Sequence, residues 1–485
     1  MSIEDQQTPL LTQLEKSLNR HHAPFYAPGH KQGKGASLIL QKIIGTSALK
    51  ADLPELPELD NLFAPQGVIK QAQENASKTF KAQKTWFLIN GSTSGIIASI
   101  LATCQEGDKI ILPRNIHQSA IFGLVLSGAI PIFIHPEYNP IFDIFNGISP
   151  QQIKTSLQQN PDAKAVLIVS PTYQGICSNI RDIATITHQY NIPLLVDEAH
   201  GAHFSFHPQL PPSAMESGAD IAIQSTHKVL GALTQASMLH LQGNLVDPNL
   251  IQIALQLVQS SSPSYLLLAS LESATVQMAR EGKELLDKTI DLALFARQEI
   301  KQVGDYLILE NNLSNCYDLD VTRLTINVTN LGIDGYLADE ILHEKLAVTC
   351  ELPSLTNLTF IISIGNSQND LEKLILALKT LKNYQDNKIN SPLKNLFIVP
   401  SFVTKISPRQ AFWAKKTTVT LANSVNQVSG ETICPYPPGI PLIMAGEVIS
   451  QDTLHYLKKV IKLGGIITGA KDSTLKTIQV ILSLQ

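Results

Sequence analysis

"ADIAIQSTHKVLGALTQAS" (residues 219–237) opens on a short β-branched run that ends at Gln224, and Ser225, Thr226, His227 and Lys228 follow at once. Lys228 has no acidic residue within six positions, which is unusual for a surface lysine. Apolar runs of similar length recur upstream as "KTWFLI" (84–89), "DKIILP" (108–113), "IPIFIHP" (130–136), "AVLIVSP" (165–171) and "IPLLVDEAH" (192–200). Each is bounded by Pro, Gly, Asp or Asn, and helical stretches separate them. Short continuous apolar strands alternating with helices predict an α/β fold whose sheet is mostly parallel and covered on both faces.

Ligands bind beyond the carboxyl ends of strands in such sheets, and three polar clusters stand there. Asn90, Gly91, Ser92, Thr93, Ser94 and Gly95 lead into an apolar helix, where free N–H groups and the helix dipole suit a phosphate. Taken alone, these residues are better explained as an ordinary helix cap, since Ser and Thr are common caps. Asp197 ends an apolar strand, so it either caps a loop or meets a cation. Lys228 comes 31 residues after Asp197. A phosphate cradle, a strand-end aspartate and then a lysine is the order that holds pyridoxal 5'-phosphate. The lysine amine joins the cofactor aldehyde and the aspartate keeps the pyridine nitrogen protonated. Lys228 then lacks a local acid because its amine serves as a nucleophile.

Composition agrees with a globular enzyme. Of 485 residues, 44% are hydrophobic and 16% charged, so two to four domains are expected. A net charge of −4 argues against a nucleic-acid or anionic-membrane partner. There is no long apolar span, and "MSIEDQQTPLL" lacks the basic start and apolar stretch of a signal peptide, so a cytoplasmic location is expected. Five scattered cysteines without a CxxC pair read as reduced thiols, and no metal site is expected. Further elements are predicted as a helix over 8–20, a long helix over 265–303, and a second α/β unit of "RLTINV", a helix over 335–346 and "LTFIISIG". The polar stretch 382–395 is expected to be a linker.

Eight motifs in order, "PGHKQG", "ADLPELPELDNL", "PRNIHQSA", "SPTYQG", "LLVDEAHGAHF", "ADIAIQSTHKVLGALTQAS", "SSSPSYLLLASLE" and "PYPPGIPLIMAGE", are similar to those of the ornithine/lysine/arginine decarboxylase family in its short form. The resemblance implies an aspartate-aminotransferase-like (fold type I) large domain over 68–303 after an N-terminal segment, 1–67. A small α/β domain over 304–385 and a C-terminal α+β domain over 386–485 follow. It implies Lys228 as the lysine that bonds the cofactor, Asp197 as the pyridinium partner, and His117 stacked on the ring. Ser92, Thr93, Ser94, Ser225 and His227 belong to the phosphate contacts, with Ser262 reaching in from a partner subunit of a homodimer, and His200 lies near the ring. The chain departs from the family pattern at Gln118, Asn366 and Ala445.

The reaction implied is loss of CO2 from a basic amino acid, with arginine to agmatine, in polyamine biosynthesis, as the first expectation. Lysine and ornithine are the alternatives within that chemistry. An aminotransferase needs a carboxylate-clamping arginine, and after residue 300 only Arg323 and Arg409 are available, both inside decarboxylase-like stretches. An inactive regulatory homologue is the alternative of another class, against which both Lys228 and Asp197 stand. Asp52, Glu55, Glu58, Asp60, Glu351 and Glu447 are candidates to meet a substrate's distal cation.

Overall fold

The computed structural model describes residues 8–20, 22–313, 316–384, 402–436 and 439–482. Most of the expected linker therefore lies outside the described residues. The chain divides into a unit drawn from Met1–Ala102 and Pro193–Asp287 and another from Thr103–Ile192 and Lys288–Gln485.

In the first unit, strand Lys84–Leu88 pairs with Ser237–Leu241, which pairs with Ile221–Gln224, which pairs with Leu194–Asp197. The last pair is parallel, in register Asp197↔Ile223, while Ser237–Leu241 runs antiparallel to both its neighbours. Ser237–Leu241 is absent from the sequence reading because Ser237 and His240 disguise a strand that is buried at all five positions. Its polar atoms are matched internally. His240 Nδ1 lies 2.8 Å from Thr85 Oγ1 and its Nε2 lies 3.0 Å from Gln224 Oε1.

The N-terminal part of this unit is held by carboxylates at helix starts, where free N–H groups face out. Glu272, on the helix Tyr265–Val303, accepts from the amides of Leu10 (3.1 Å) and Leu11 (2.7 Å) at the head of the helix Pro9–Leu18. Asp60 accepts from the amides of Asn61, Gln66, Gly67, Ile69 and Lys70 where the helix Val68–Thr79 begins. Burial pushes the Asp60 carboxyl up, but these donors together hold it below its ordinary value.

In the second unit, Lys109–Pro113 lies between Ala165–Val169 and Ile130–Ile134, all parallel as expected. A separate four-stranded sheet, Leu307–Ile308, Arg323–Asn327, Asn357–Ile361 and Leu352–Pro353, is antiparallel throughout. Helices Gly335–Leu346 and Gln368–Leu381 cover it over a core that includes Leu324, Ile326, Leu342, Leu358 and Leu378. The last segment pairs Lys416–Thr420 with Thr477–Ile481 and packs the helix Gln451–Lys462 through Leu454, Leu457 and Val460.

An ion pair with both side chains almost fully buried joins two distant stretches of this unit. Arg114 donates from Nε (2.9 Å) and Nη2 (2.8 Å) to the two oxygens of Glu447, and from Nη1 to the carbonyl of Pro441 (2.7 Å). Such a fork-to-fork pair is strong only while both partners are present. Glu447→Ala leaves a buried guanidinium without its counter-charge and should cost about 3–5 kcal/mol. This would be read as a lowered urea midpoint for the second unit. The double variant Arg114→Met/Glu447→Leu should recover most of the loss, and an unchanged midpoint in the single variant would refute a structural role for the pair.

Candidate active site

Most of the sequence-predicted residues lie in the first unit, at the carboxyl ends of its strands. Asp197 closes Leu194–Asp197 and Ser225 follows Ile221–Gln224, so the parallel register sets these two ends side by side. The helix Gly91–Thr103 begins on Gly91, whose φ of +72° suits glycine. It lies so close to the sheet that a Cβ on Gly95 would stand 2.7 Å from Leu88 and 2.8 Å from Ile223. That approach lets Ser225 Oγ donate to Ser92 Oγ at 2.8 Å. Two hydroxyls from different elements thus meet at a helix N-terminus, an arrangement that suits phosphate oxygens. Thr93 is half-buried on the same turn, and the Ser94 hydroxyl donates back to the carbonyl of Gly91 (2.8 Å).

Lys228 sits in the short helical turn Thr226–Val229, half-buried, with Nζ 2.9 Å from His200 Nε2. His200 is therefore a direct neighbour of the amine. His227 Nδ1 lies 2.9 Å from the carbonyl of Ala236, which can only accept, so Nδ1 carries the hydrogen. Asp197 is buried and its Oδ1 accepts from the Ala199 amide at 3.2 Å. Burial pushes its carboxyl above the ordinary range, opposed by the charge of Lys228 and by that amide.

Beneath these ends runs a buried polar chain that the sequence reading passed over. Glu198 accepts from the Ala214 amide (2.7 Å) and from Gln224 Nε2 (2.7 Å), and Gln224 Oε1 faces His240. Burial pushes Glu198 up to about 8 and His240 down to about 3. Near neutral pH the chain is thus uncharged, and it fixes the strand that delivers Ser225. The signal available was polar residues (Gln224, His240) inside apolar strands.

Ser262 is exposed, and its amide donates to Ser260 Oγ (3.1 Å), while the Ser260 amide reaches Asn90 Oδ1 of the same chain (3.4 Å). His117 belongs to the second unit. It caps the helix Gln118–Ser127, its Nδ1 accepting from the Ser119 amide at 3.2 Å, and a Cβ on Gly439 would lie 3.4 Å from its Nε2. The candidate acids are occupied locally. Asp52 meets His30 (3.0 Å), Glu55 takes the Leu62 amide (3.0 Å), Glu58 pairs with Arg20 (2.5 Å), and Glu351 accepts from the Tyr173 hydroxyl. Of the two arginines, Arg323 is fully buried 3.8 Å from Asp320, and Arg409 stands 3.9 Å from Glu106.

Family models place these features. Residues 8–321 match the Orn/Lys/Arg decarboxylase major domain, and 396–469 match the C-terminal domain of the same family. The chain belongs to the Orn/Lys/Arg decarboxylase family. Among curated members it is 38% identical to an arginine decarboxylase of Bacillus subtilis over 99% of each chain. It is 39% identical to one of Halalkalibacterium halodurans over 98% of each. Among solved structures it resembles a Francisella novicida lysine decarboxylase with a TM-score of 0.84 at 25% identity, covering 98% of this chain and 81% of that one.

Membership in the Orn/Lys/Arg decarboxylase family implies pyridoxal phosphate, and the first unit's residues fit it. Asp197 is a buried carboxyl, and among the described residues Lys228 is the one opposing charge that acts on it. The Thr226 hydroxyl, adjacent in the chain to Ser225 of the Ser92–Ser225 pair, is buried with no hydrogen-bond partner among the described residues. A cationic ring nitrogen and a phosphate are the groups that would complete both. Lys228→Ala should abolish the yellow absorbance that pyridoxal phosphate gains on joining a lysine amine, while phosphate still competes for the site. Retained colour would move the assignment to another lysine.

Proposed function

We propose that the protein decarboxylates L-arginine to agmatine and CO2 in the cytoplasm, feeding polyamine synthesis. The observation that carries this reading is full-length identity of 37–39% to arginine decarboxylases, against 25% to a constitutive lysine decarboxylase of Escherichia coli. Chemistry supports it too. A guanidinium offers a planar fork of donors that pairs with a carboxylate bidentately, and an ammonium in the same pocket would leave acceptors unfilled. The division into 1–67, 68–303, 304–385 and 386–485 belongs to the same reading, and the gap between the two family models, 8–321 and 396–469, favours its last boundary alone.

Bound pyridoxal phosphate supplies an electron sink conjugated to the substrate α-carbon. The chain's residues do the rest. Lys228 would hold the cofactor, and His200, 2.9 Å from Nζ, can accept a proton from the amine. Asp197 would keep a proton on the ring nitrogen, and the amides at the head of the helix Gly91–Thr103, with Ser92, Thr93, Ser94, Ser225 and His227, would hold the phosphate. Family resemblance assigns the ring-stacking role to His117.

A homodimer with shared sites completes the reading. The large apolar side chains Phe25, Leu38, Ile39 and Ile43 are 95%, 82%, 74% and 76% exposed, and a subunit contact would take such side chains out of water. Competition between equimolar arginine, lysine and ornithine should give the largest kcat/KM for arginine. A larger value for lysine or ornithine would replace the substrate and leave the chemistry in place. Mixing inactive Lys228→Ala subunits with inactive Ser262→Asp subunits should restore partial activity, because one composite site then carries neither lesion. No recovery in verified heterodimers would mean that each subunit builds its own site.

A further inference from the structure

The net charge of −4 averages over an uneven chain, since residues 387–430 contain no aspartate or glutamate. Within the described part of that stretch, Lys405, Arg409, Lys415 and Lys416 accompany a short helix of the second unit, Pro408–Trp413. A capping box fixes its start. The Gln410 amide donates to Ser407 Oγ (3.2 Å) and the Ser407 amide to Gln410 Oε1 (2.9 Å). Pro408 and Ala411 are buried, and the helix packs on Gln118–Ser127. Phe412 and Trp413 are left outside, 54% and 76% exposed, with ring centroids 5.0 Å apart and planes at 90°. On the neighbouring helix Phe122 and Leu126 are exposed as well.

Cations stand beside these rings. Lys416 Nζ lies 5.9 Å from the Phe412 ring centre, on a strand held by its pairing with Thr477–Ile481. Arg409, one turn before Phe412, reaches the end of Gln118–Ser127, where a Cβ on Gly128 would come 2.6 Å from its Nη1. Its carboxylate neighbour, Glu106, is 3.9 Å away and largely exposed. Lys405 and Lys415 are exposed, and Gln118–Ser127 carries no charged residue. Three kinds of anionic partner could meet such a face, and the details separate them. Single-stranded nucleic acid stacks its bases on successive ring faces, which two rings at 90° do not offer. Protein contacts favour Arg and deplete Lys, whereas three of the four cations here are lysines. A bilayer of acidic phospholipid takes aromatic rings into its headgroup layer and lysines whose long stems reach its phosphates.

We propose that this face docks the protein on an anionic phospholipid bilayer. Phe412 and Trp413 enter the headgroup layer, while Lys405, Arg409, Lys415 and Lys416 meet the lipid phosphates. The contact is peripheral, and no helix among the described residues is long and apolar enough to cross a membrane. Attraction between cations and phosphates weakens as salt screens it, and the rings supply the part that salt leaves in place. None of these residues belongs to the cofactor set or to the acids considered for the substrate, so the docking surface stands apart from the function proposed above.

The chain has two tryptophans and Trp86 is 3% exposed, so a change of indole emission on adding vesicles reports Trp413. The full-length, pyridoxal-phosphate-loaded protein is mixed with vesicles of phosphatidylcholine alone, or of phosphatidylcholine with phosphatidylglycerol. It should sediment with the acidic vesicles and not with the neutral ones, and its emission should shift to the blue. Trp413→Ser should lose the shift and weaken binding. Lys415→Ala/Lys416→Ala should weaken binding about thirtyfold, at roughly fivefold for each cation near the surface. The urea midpoint checks that each variant is folded, and the lysine variant decides the matter if Trp413→Ser is not. Absence of binding to acidic vesicles, equal binding to neutral ones, or unchanged binding by the folded lysine variant overturns the proposal. So does an emission shift that appears without vesicles as protein concentration rises, which would give the face to a second copy. A shift produced by oligothymidylate and not by acidic vesicles overturns it in favour of single-stranded nucleic acid.

Discussion

A carboxyl group taken out of water must be given back a cation, a proton or a set of N–H donors, because its bare burial costs several kcal/mol. The first unit meets this requirement in two ways at adjacent residues. Glu198 receives two N–H donors and its carboxyl is pushed up to about 8, so it serves as a neutral strut. Asp197 has a single amide and the charge of Lys228. The two neighbours therefore divide the work: Glu198 steadies the frame, and Asp197 is left to answer to whatever cation arrives.

The second unit obeys the same requirement with different partners. Glu447 is satisfied by a forked guanidinium, and Asp143 is hydrogen-bonded at one oxygen, by the Tyr138 hydroxyl, with no partner at the other among the described residues. Fully matched groups such as Glu447 are poor candidates for recognition, since any newcomer must displace an equally good partner.

The parallel strands and the residues at their carboxyl ends were legible in the sequence, because continuous apolar runs and abrupt polar breaks are local signals. Leu194–Asp197 and Ile221–Gln224 fall within the runs read from the chain. Ser237–Leu241 was hidden, because His240 is satisfied by Thr85, 155 residues away, and by Gln224. The acidic run 52–60 looked like a reservoir of negative charge, but Asp60 works as a helix cap through donors on residues 61–70. Asp143 carried no signal, since a lone acid between aromatic residues gives no hint of a buried oxygen. Sequence periodicity reports burial along one element and is blind to partners brought from far along the chain.

The clasp between Glu272 and the helix Pro9–Leu18 has a kinetic meaning. Its two hydrogen bonds join residues 261 and 262 positions apart. At a synthesis rate of about 5–20 residues per second, the helix waits roughly 13–50 s after it is made before its acceptor exists. During that interval the Leu10 and Leu11 amides lack the carboxylate that receives them in the finished chain. The closing of this clasp therefore reports that the chain has been made at least as far as Glu272.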